Sequence, residues 1–304
     1  MSKVGFLFPG QGTQYIGMAK DLYENLVEVR EMIKTADDVL GINLSDIMFN
    51  GPLEKLKQTQ FTQPAIFIHS VVLSSLTRLL EPQAAAGHSL GEYSALESAG
   101  AVQYYEAVQL VRDRGIAMQQ AGVDNPGTMA VVIGLSPEHV KECCVKAAEV
   151  GIVQPANFNS PGQIVISGSI DGVKKAMELC KRNGARLVKE LFVSGAFHSH
   201  LMKSAKDKLK TVLDKTNFYD ARFPVYTNVS AKPVTKKKDI KEMLYQQVTS
   251  PVRWEETINN MIADGIDEFY EIGPGKVLQG LVKRINPDIK CQGIDKYSDL
   301  EQYL

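Results

Sequence analysis

Short apolar segments alternate with longer helical patterns along most of the chain, and this alternation restricts the fold more than any other feature. A helix between two strands favours parallel pairing, because it carries the chain back to the edge of the sheet where the first strand began. Strand patterns lie at 3–8, 83–87 and 223–229 and at the start of 267–285. Helical patterns cover most of 16–80, then 90–99, 103–120, 199–214, 239–247 and 255–264. We predict an α/β fold with a mainly parallel sheet and helices on both faces.

The most regular of these helices is predicted to begin at Pro64. The segment PAIFIHSVVLSSLTRLL (64–80) is apolar on most sides, which is typical of a buried helix. Proline is favoured in a first helical turn, because the N–H group that it lacks would have no helical partner there.

A different order of elements occupies residues 125–194. Strand patterns lie at 127–135, 163–168 and 185–193, helical patterns at 136–150 and 169–184, and a strand or loop at 151–158. The order β-α-β-β-α-β is the ferredoxin-like pattern, a compact unit that can fold as an insert. We therefore predict a ferredoxin-like small subdomain at 125–194, inserted into a larger α/β domain that is formed by 1–124 and 195–304.

Composition and charge argue against several classes of partner. The 304 residues carry a net charge of -1 and are 44% hydrophobic, so nothing favours nucleic acid or an anionic membrane surface. No window reaches the ~18 apolar residues of a membrane span, and the apolar run before Pro9 is too short for a signal peptide. The spacing of the four cysteines suits no zinc site. We expect no metal, and reduced thiols in a cytoplasmic protein.

A serine stands between two glycines where the strand at 83–87 gives way to a helix. The stretch GHSLG (87–91) fits Gly-x-Ser-x-Gly, the nucleophile elbow, in which the glycines permit a sharp strand-to-helix turn. The Ser89 hydroxyl would then project at a helix N-terminus, where backbone N–H groups can stabilise an oxyanion. A tight turn without catalytic function is the alternative, and a five-residue pattern alone does not decide between them.

A serine nucleophile needs a base near neutral pH, and the chain has five histidines. His69 lies within an apolar helix and His139 near the start of an exposed one, so neither is favoured. His88 adjoins the serine, but neighbours on an elbow diverge, which favours a structural role. His198 and His200 lie where the insert ends and a helix begins, and the pattern does not choose between them. No acidic residue between the serine and these two histidines stands out as a triad partner.

Eight ordered segments spread over almost the whole chain form one set. They are PGQGTQ (9–14), FTQPAIF (61–67), GHSLGEYSAL (87–96), VRDRGIAMQ (111–119), NSPGQIVISG (159–168), GAFHSHLM (195–202), TSPVRW (249–254) and EIGPGKVLQGL (271–281). Together they resemble the malonyl-CoA:acyl carrier protein transacylases of fatty-acid synthesis and the related acyltransferase domains of polyketide synthases. The resemblance implies an α/β-hydrolase-like larger domain with a parallel sheet, carrying the ferredoxin-like insert.

The same resemblance implies a catalytic pair. Ser89 in GHSLG matches the acylated nucleophile, and His198 in GAFHS matches the general base, which leaves His200 without a role. Gln247, just before TSPVRW, matches a glutamine whose main-chain carbonyl orients the histidine. That carbonyl would take the place of a triad aspartate and would explain why no acid was found.

Further residues are implied to hold the substrate. Arg114 in RDRG matches the arginine that binds the malonyl carboxylate, which a planar guanidinium can grip through two parallel hydrogen bonds. Gln11 in PGQG and Leu90 match the oxyanion hole, Leu90 through its backbone N–H.

Four more residues are candidates for the wall of the acyl pocket. Phe197 precedes the histidine, and in the family a phenylalanine there accompanies malonyl whereas a serine accompanies methylmalonyl. A bulky ring would crowd a 2-methyl branch. Asn159, Gln63 and His88 fall within matching motifs and could also line the pocket.

The implied function is a ping-pong transfer of malonyl from malonyl-CoA to the phosphopantetheine thiol of acyl carrier protein, which supplies fatty-acid synthesis. Malonyl-CoA and the carrier are substrates, no cofactor is bound, and a monomer is expected. A discrete acyltransferase serving a polyketide synthase is the first alternative. A serine thioesterase or other hydrolase, suggested by the elbow alone, is the second. A non-catalytic module that only docks a carrier protein is the third.

Overall fold

The computed structural model describes residues 2–304, which form two β-sheets and fourteen α-helices. The strands are β1 Val4–Phe8, β2 Ala84–Gly87, β3 Gly127–Ile133, β4 Val153–Ser160, β5 Gln163–Ser169, β6 Leu187–Leu191, β7 Val225–Tyr226, β8 Pro233–Val234, β9 Glu268–Ile272 and β10 Lys290–Ile294. The helices are α1 Lys20–Asn25, α2 Val27–Leu40, α3 Leu44–Asn50, α4 Leu53–Leu56, α5 Thr59–Leu76, α6 Gly91–Ser98, α7 Tyr104–Asp124, α8 Pro137–Ala147, α9 Ile170–Arg182, α10 Lys203–Lys215, α11 Lys237–Gln247, α12 Trp254–Ala263, α13 Val277–Ile285 and α14 Tyr297–Leu300. Short 3₁₀ turns lie at His200–Met202 and Glu301–Tyr303.

The larger sheet has the order β10-β9-β1-β2-β7-β8. Its first five strands pair in parallel, and only β8 runs antiparallel to its neighbour. Alternate residues of β1 enter different cores: Phe6 and Phe8 pack towards α5 and α7, whereas Leu7 packs towards α12 and α13. Such a strand is buried on both faces, which is why its sequence is a continuous apolar run. The predicted α/β fold with helices on both faces is confirmed.

The smaller sheet has the order β4-β5-β3-β6, and all of its pairs are antiparallel. With α8 after β3 and α9 after β5, this is the predicted β-α-β-β-α-β unit. Segment 151–158, predicted as strand or loop, belongs to β4. The small sheet is tied to the larger part where Phe158 N–H donates to the Val252 carbonyl and Val252 N–H to the Ala156 carbonyl. The division of the chain at 125 and 194 stays a prediction.

The predicted start of the helix at Pro64 is wrong. Helix α5 begins at Thr59, so Pro64 lies in its second turn and leaves the carbonyl of Gln60 without its helical donor. The guanidinium of Arg112 in α7 donates to that carbonyl instead. A side chain from a neighbouring helix thus offsets the hydrogen bond that the proline removes.

The structure also differs from the prediction at three strands. The strand expected over 223–229 shrinks to Val225–Tyr226, and two strands were not predicted: β8 and β10. Strand β10, with the sequence KCQGI, lies at the edge of the sheet and is mostly exposed or part-buried. An edge strand of this kind lacks the apolar pattern by which buried strands are recognised. None of the helices in residues 2–304 has the length and hydropathy of a membrane span.

Strand β2 and helix α6 approach each other so closely that only glycine fits at two positions. A Cβ on Gly87 would lie 1.8 Å from the carbonyl carbon of Gly91, and one on Gly91 would lie 2.0 Å from the carbonyl oxygen of Phe8. Backbone atoms cannot move aside as a flexible side chain can. The two glycines of GHSLG are therefore required by packing, and they fix the turn that presents Ser89.

We predict that Gly87→Ala lowers the free energy of unfolding by about 3 kcal/mol or more, because overlap with backbone forces the elbow apart. Gly280→Ala is the matched control: this glycine lies within α13 with no atom within 4 Å of an added Cβ. There alanine should raise stability by about 0.5–1 kcal/mol. Denaturant unfolding monitored by circular dichroism measures both, and equal effects of the two variants would contradict the packing argument.

Candidate active site

The Ser89 hydroxyl is presented on a strained turn between β2 and α6. Its φ angle is 52°, in the left-handed region that non-glycine residues rarely adopt. Its N–H donates to Asn228 Oδ1 at 2.7 Å, and its carbonyl accepts from Gln247 Nε2 at 3.0 Å. Hydrogen bonds from distant segments thus hold the turn in a conformation that it would not keep alone.

His198 lies beside this serine. Its Nε2 is 2.8 Å from Ser89 Oγ, and its Nδ1 is 3.0 Å from the Gln247 carbonyl and 3.1 Å from the Ser250 carbonyl. A carbonyl only accepts, so the proton is on Nδ1, and Nε2 is free to accept the serine proton. Of the two histidines that the pattern left open, the structure brings His198 to the serine. His200 is exposed in the following 3₁₀ turn.

Burial lowers the pKa of His198 to about 3, with a smaller contribution from the nearby positive charge of Arg114. The imidazole is therefore neutral near pH 7, which is the form that can accept a proton. The carbonyls of Gln247 and Ser250 favour the charged form but do not outweigh the burial. No carboxylate contacts the ring within residues 2–304, so its orientation depends on the two carbonyls.

Arg114 lies on α7, fully buried, with its guanidinium at the serine. Nη2 donates to Ser89 Oγ at 3.2 Å and to Gln247 Oε1 at 2.9 Å, and Nη1 donates to Gln63 Oε1 at 2.7 Å. The guanidinium carbon is 5.2 Å from the centre of the Tyr93 ring. Within residues 2–304 it forms no ion pair with a carboxylate, and its buried Nε has no acceptor. Such a buried cation is a ready site for an anion.

Gln11 and Leu90 line the same cavity as the serine. Leu90 directly precedes α6, and the Gln11 amide Nε2 is 3.3 Å from Thr59 Oγ1. The backbone N–H groups of Gln11 and Leu90 donate to no acceptor within the described residues 2–304. Free N–H groups near a serine and at a helix N-terminus can bind an oxyanion.

The serine opens into a cavity of about 260 Å³. Phe197, 7% exposed, lines it together with Met118, Met129, Val165 and Leu191. This mostly apolar wall surrounds one cation and one nucleophilic hydroxyl.

The other predicted pocket residues also reach the cavity. Gln63 holds Arg114, and Asn159 Oδ1 accepts from His88 Nε2 at 2.9 Å. The His88 ring lies 5.5 Å from the ring of Trp254, and burial lowers its pKa, so it acts as a neutral donor. Within residues 2–304 no group of three or more His, Cys, Asp or Glu side chains is arranged to hold a metal.

Sequence reasoning missed three residues at the site. Ser250 supplies the second carbonyl to His198, Asn228 binds the serine N–H, and Glu92 accepts from Gln247 Nε2 at 2.9 Å and from Asn228 N–H at 2.8 Å. Glu92 stands in the quoted GHSLGEYSAL, where an acid in a first helical turn reads as a favourable charge at the helix dipole. Nothing local in the sequence marks Asn228.

The arrangement can perform nucleophilic acyl transfer. A hydroxyl within hydrogen-bond distance of a neutral imidazole has its base. Two backbone N–H groups without acceptors in residues 2–304 belong to residues that line the same cavity, and a buried guanidinium can bind an anionic group on the substrate.

Comparisons with known proteins agree with this chemistry. The family model described as the acyl transferase domain matches residues 5–291. A malonyl CoA-acyl carrier protein transacylase of Bacillus subtilis (strain 168) is 49% identical over 304 residues, covering 99% of this chain and 96% of the relative. The protein with the same name from Staphylococcus aureus (strain MRSA252) is 41% identical, covering 99% and 98%.

Solved structures have the same fold. An acyl carrier protein S-malonyltransferase from Vibrio cholerae superposes with a TM-score of 0.96 at 42% identity, covering 100% of both chains. A malonyl-transacylase in complex with its type II PKS acyl-carrier protein has a TM-score of 0.96 at 40% identity, covering 100% of this chain and 99% of that one.

The lowered pKa of His198 predicts how reactivity at Ser89 depends on pH. A base with a pKa of about 3 stays neutral from pH 7 to pH 5, so the rate of fluorophosphonate labelling should change less than about twofold. An imidazole with the ordinary pKa of about 6.5 would lose about 25-fold over this range. Ser89→Ala, which should not be labelled, is the control. A 25-fold fall would show that burial does not keep the imidazole neutral.

Proposed function

Because the chain belongs to the acyl transferase family, we propose that it transfers a malonyl group from malonyl-CoA to the phosphopantetheine thiol of an acyl carrier protein, through a malonyl ester on Ser89. The observation that carries the proposal is the guanidinium of Arg114. It is buried, it has no carboxylate partner within residues 2–304, and it lies 3.2 Å from Ser89 Oγ. A thioester that carries a free carboxylate supplies the missing anion.

In the first half-reaction His198 Nε2 takes the proton of the Ser89 hydroxyl as Oγ attacks the thioester carbonyl carbon. The carbonyl oxygen becomes an oxyanion, which the N–H groups of Gln11 and Leu90 stabilise. When the C–S bond breaks, the protonated His198 gives its proton to the leaving sulfur of coenzyme A. The malonyl ester of Ser89 remains.

The second half-reaction runs the same steps with the carrier as nucleophile. His198 takes the proton of the phosphopantetheine thiol, and the sulfur attacks the ester carbonyl carbon. The C–O bond to Ser89 breaks, and the proton returns to the serine oxygen. This is a ping-pong cycle, in which one site serves both thiols in turn.

Arg114 determines which acyl groups are held. The planar guanidinium binds a carboxylate through two parallel hydrogen bonds, and this pairing is strong where water is excluded. Phe197 lines the same cavity, and a bulky ring there is proposed to crowd a branch at the carbon next to the thioester. The proposal is therefore malonyl in preference to acetyl and to branched acyl groups.

The proposal extends to the oligomeric state, the cellular compartment and the domain division of the protein. The protein is proposed to act as a monomer, with its site formed by Gln11, Ser89, Arg114, His198 and Gln247. Buried free thiols at Cys143, Cys144 and Cys180 fit a reducing cytoplasm. The two separate sheets support a catalytic domain of 1–124 and 195–304 with a small subdomain of 125–194.

We place the carrier in fatty-acid synthesis, following the family that the eight sequence segments resemble; the curated relatives are named malonyl CoA-acyl carrier protein transacylases. A polyketide-synthase carrier is the second candidate, because the relative solved with a type II PKS acyl-carrier protein covers the whole chain. Off-loading of the acyl-enzyme to each kind of carrier distinguishes the two.

The direct test is mass spectrometry of the protein after incubation with malonyl-CoA. We expect a malonyl adduct on Ser89, stable until a phosphopantetheinylated carrier is added, and no adduct in Ser89→Ala. Release of free malonate without a carrier would instead indicate a thioesterase. Absence of any adduct would overturn the proposal.

Arg114→Ala should lower the rate of Ser89 loading from malonyl-CoA by about 100-fold or more, while the rate from acetyl-CoA changes far less. The reason is that only malonyl carries a carboxylate for the guanidinium to bind. Arg112→Ala, two residues away on α7, is the matched control and should leave the malonyl-to-acetyl ratio unchanged. Equal losses with both thioesters in Arg114→Ala would contradict the carboxylate site.

A further inference from the structure

Glu92 is a carboxylate buried beneath the catalytic serine, and no step proposed above uses it. It lies in the first turn of α6 and is fully buried. Its Oε2 accepts from Gln247 Nε2 at 2.9 Å and from Asn228 N–H at 2.8 Å, whereas its Oε1 has no donor within residues 2–304. All hydrogen bonds of the carboxylate thus pass through one oxygen to two groups that come from distant parts of the chain.

The first of these bonds fixes the orientation of the Gln247 side-chain amide. Its Nε2 faces two acceptors, Glu92 Oε2 and the Ser89 carbonyl, and its Oε1 therefore faces Arg114 Nη2 at 2.9 Å. A flipped amide would place its NH₂ group against the guanidinium, which has only donors. Glu92, together with the Ser89 carbonyl, thus turns the amide so that Arg114 meets an oxygen.

The second bond fixes the segment that holds the serine. Asn228 gives its own N–H to Glu92, while its side chain accepts from Ser89 N–H at 2.7 Å and donates to the Gly87 carbonyl at 2.7 Å. The left-handed turn at Ser89 is therefore held on its N–H side by Asn228 and on its carbonyl side by Gln247. Both of these residues are anchored on the same carboxylate oxygen.

We propose that Glu92 is a positioning residue for acyl selectivity: its Oε2 fixes Gln247 and Asn228. These two residues in turn hold the Arg114 guanidinium and the Ser89 turn in their relative positions. This inference rests on the proposed function, because it concerns how the carboxylate site of that reaction is held. Glu92 touches neither the serine hydroxyl nor the imidazole.

The role needs an oxygen acceptor at the position of Oε2 and does not need a negative charge. Burial raises the pKa of Glu92 to about 7, although the N–H donors and the charge of Arg114 oppose the rise. A proton on Oε1 leaves Oε2 able to accept both bonds. Glutamine can likewise direct its amide oxygen to the two donors. Methionine offers only a thioether sulfur, which is a weak acceptor, and aspartate withdraws its oxygens by one methylene.

The experiment compares the initial rates at which Ser89 is loaded from malonyl-CoA and from acetyl-CoA. Intact-protein mass spectrometry measures both rates. Glu92→Gln should keep the wild-type malonyl-to-acetyl ratio within about threefold, and Glu92→Met should lower it by about tenfold or more. Glu92→Asp should behave like Glu92→Met even though it keeps the charge. Glu97→Met removes a second carboxylate of α6 that bonds to no residue of the site, and it should leave the ratio unchanged.

The ratio separates positioning from mere stability, since a partly unfolded variant loses both reactions equally. If Glu92→Met does not fold, the order of Glu92→Gln and Glu92→Asp still decides, because a purely electrostatic role would favour aspartate. A malonyl-to-acetyl ratio that is preserved in Glu92→Asp would overturn the inference. So would a ratio that falls as far in Glu92→Gln as in Glu92→Asp. In either case the wild-type malonyl adduct would still support the proposed function. A wild-type enzyme that forms no adduct would overturn both.

Discussion

The site depends on keeping one guanidinium charge buried without an ion pair. Within residues 2–304 no carboxylate pairs with Arg114, and Glu92, whose charge acts on it, bonds to the Gln247 amide instead. Removing a cation from water is costly unless hydrogen bonds replace the lost solvent. Arg114 is surrounded instead by the amide oxygens of Gln63 and Gln247 and by the Tyr93 ring, which are neutral acceptors of weaker affinity than a carboxylate. They make burial tolerable and leave the strongest partner to be supplied by a ligand. An ion pair at the same place would have closed the site to an anionic substrate.

Burial and this charge together explain why carbonyls are enough to hold the base. Burial lowers the pKa of His198 and the Arg114 cation lowers it further, so the imidazole is neutral in the resting state, whereas a carboxylate beside it would favour the charged form. The carbonyls of Gln247 and Ser250 are enough to keep the proton on Nδ1 and Nε2 towards the serine. Gln247 is thus used twice: its main chain orients the base, and its side chain holds the cation. This double use couples the two functional groups through one residue.

Local pattern was sufficient for the parts of this fold in which one segment determines its own conformation. The doubly buried β1, the small-residue strand β2, the two elbow glycines and the β-α-β-β-α-β order could all be predicted. Apart from the exposed edge strand β10, which lacks an apolar pattern, the main failures depend on distant partners. The α5 helix extends past Pro64 because Arg112, 52 positions from Gln60, binds the freed carbonyl. Glu92 meets Asn228 across 136 positions, and no feature near either residue reveals it. His198 was separated from His200 by family resemblance, since only the folded chain places one of them at the serine.

The two sheets contribute different residues to the cavity, and strand geometry explains the contribution of the smaller sheet. Side chains on β3 alternate between faces: Ala130 and Val132 pack with α8 and α9, whereas Met129 joins the core of the larger part and lines the cavity. Val165 on β5 faces the cavity in the same way. The nucleophile, its base and the guanidinium all come from the larger part. A substitution on the cavity face of the small sheet can therefore reshape the space for an acyl group without disturbing the packing of its own helices or the geometry at Ser89.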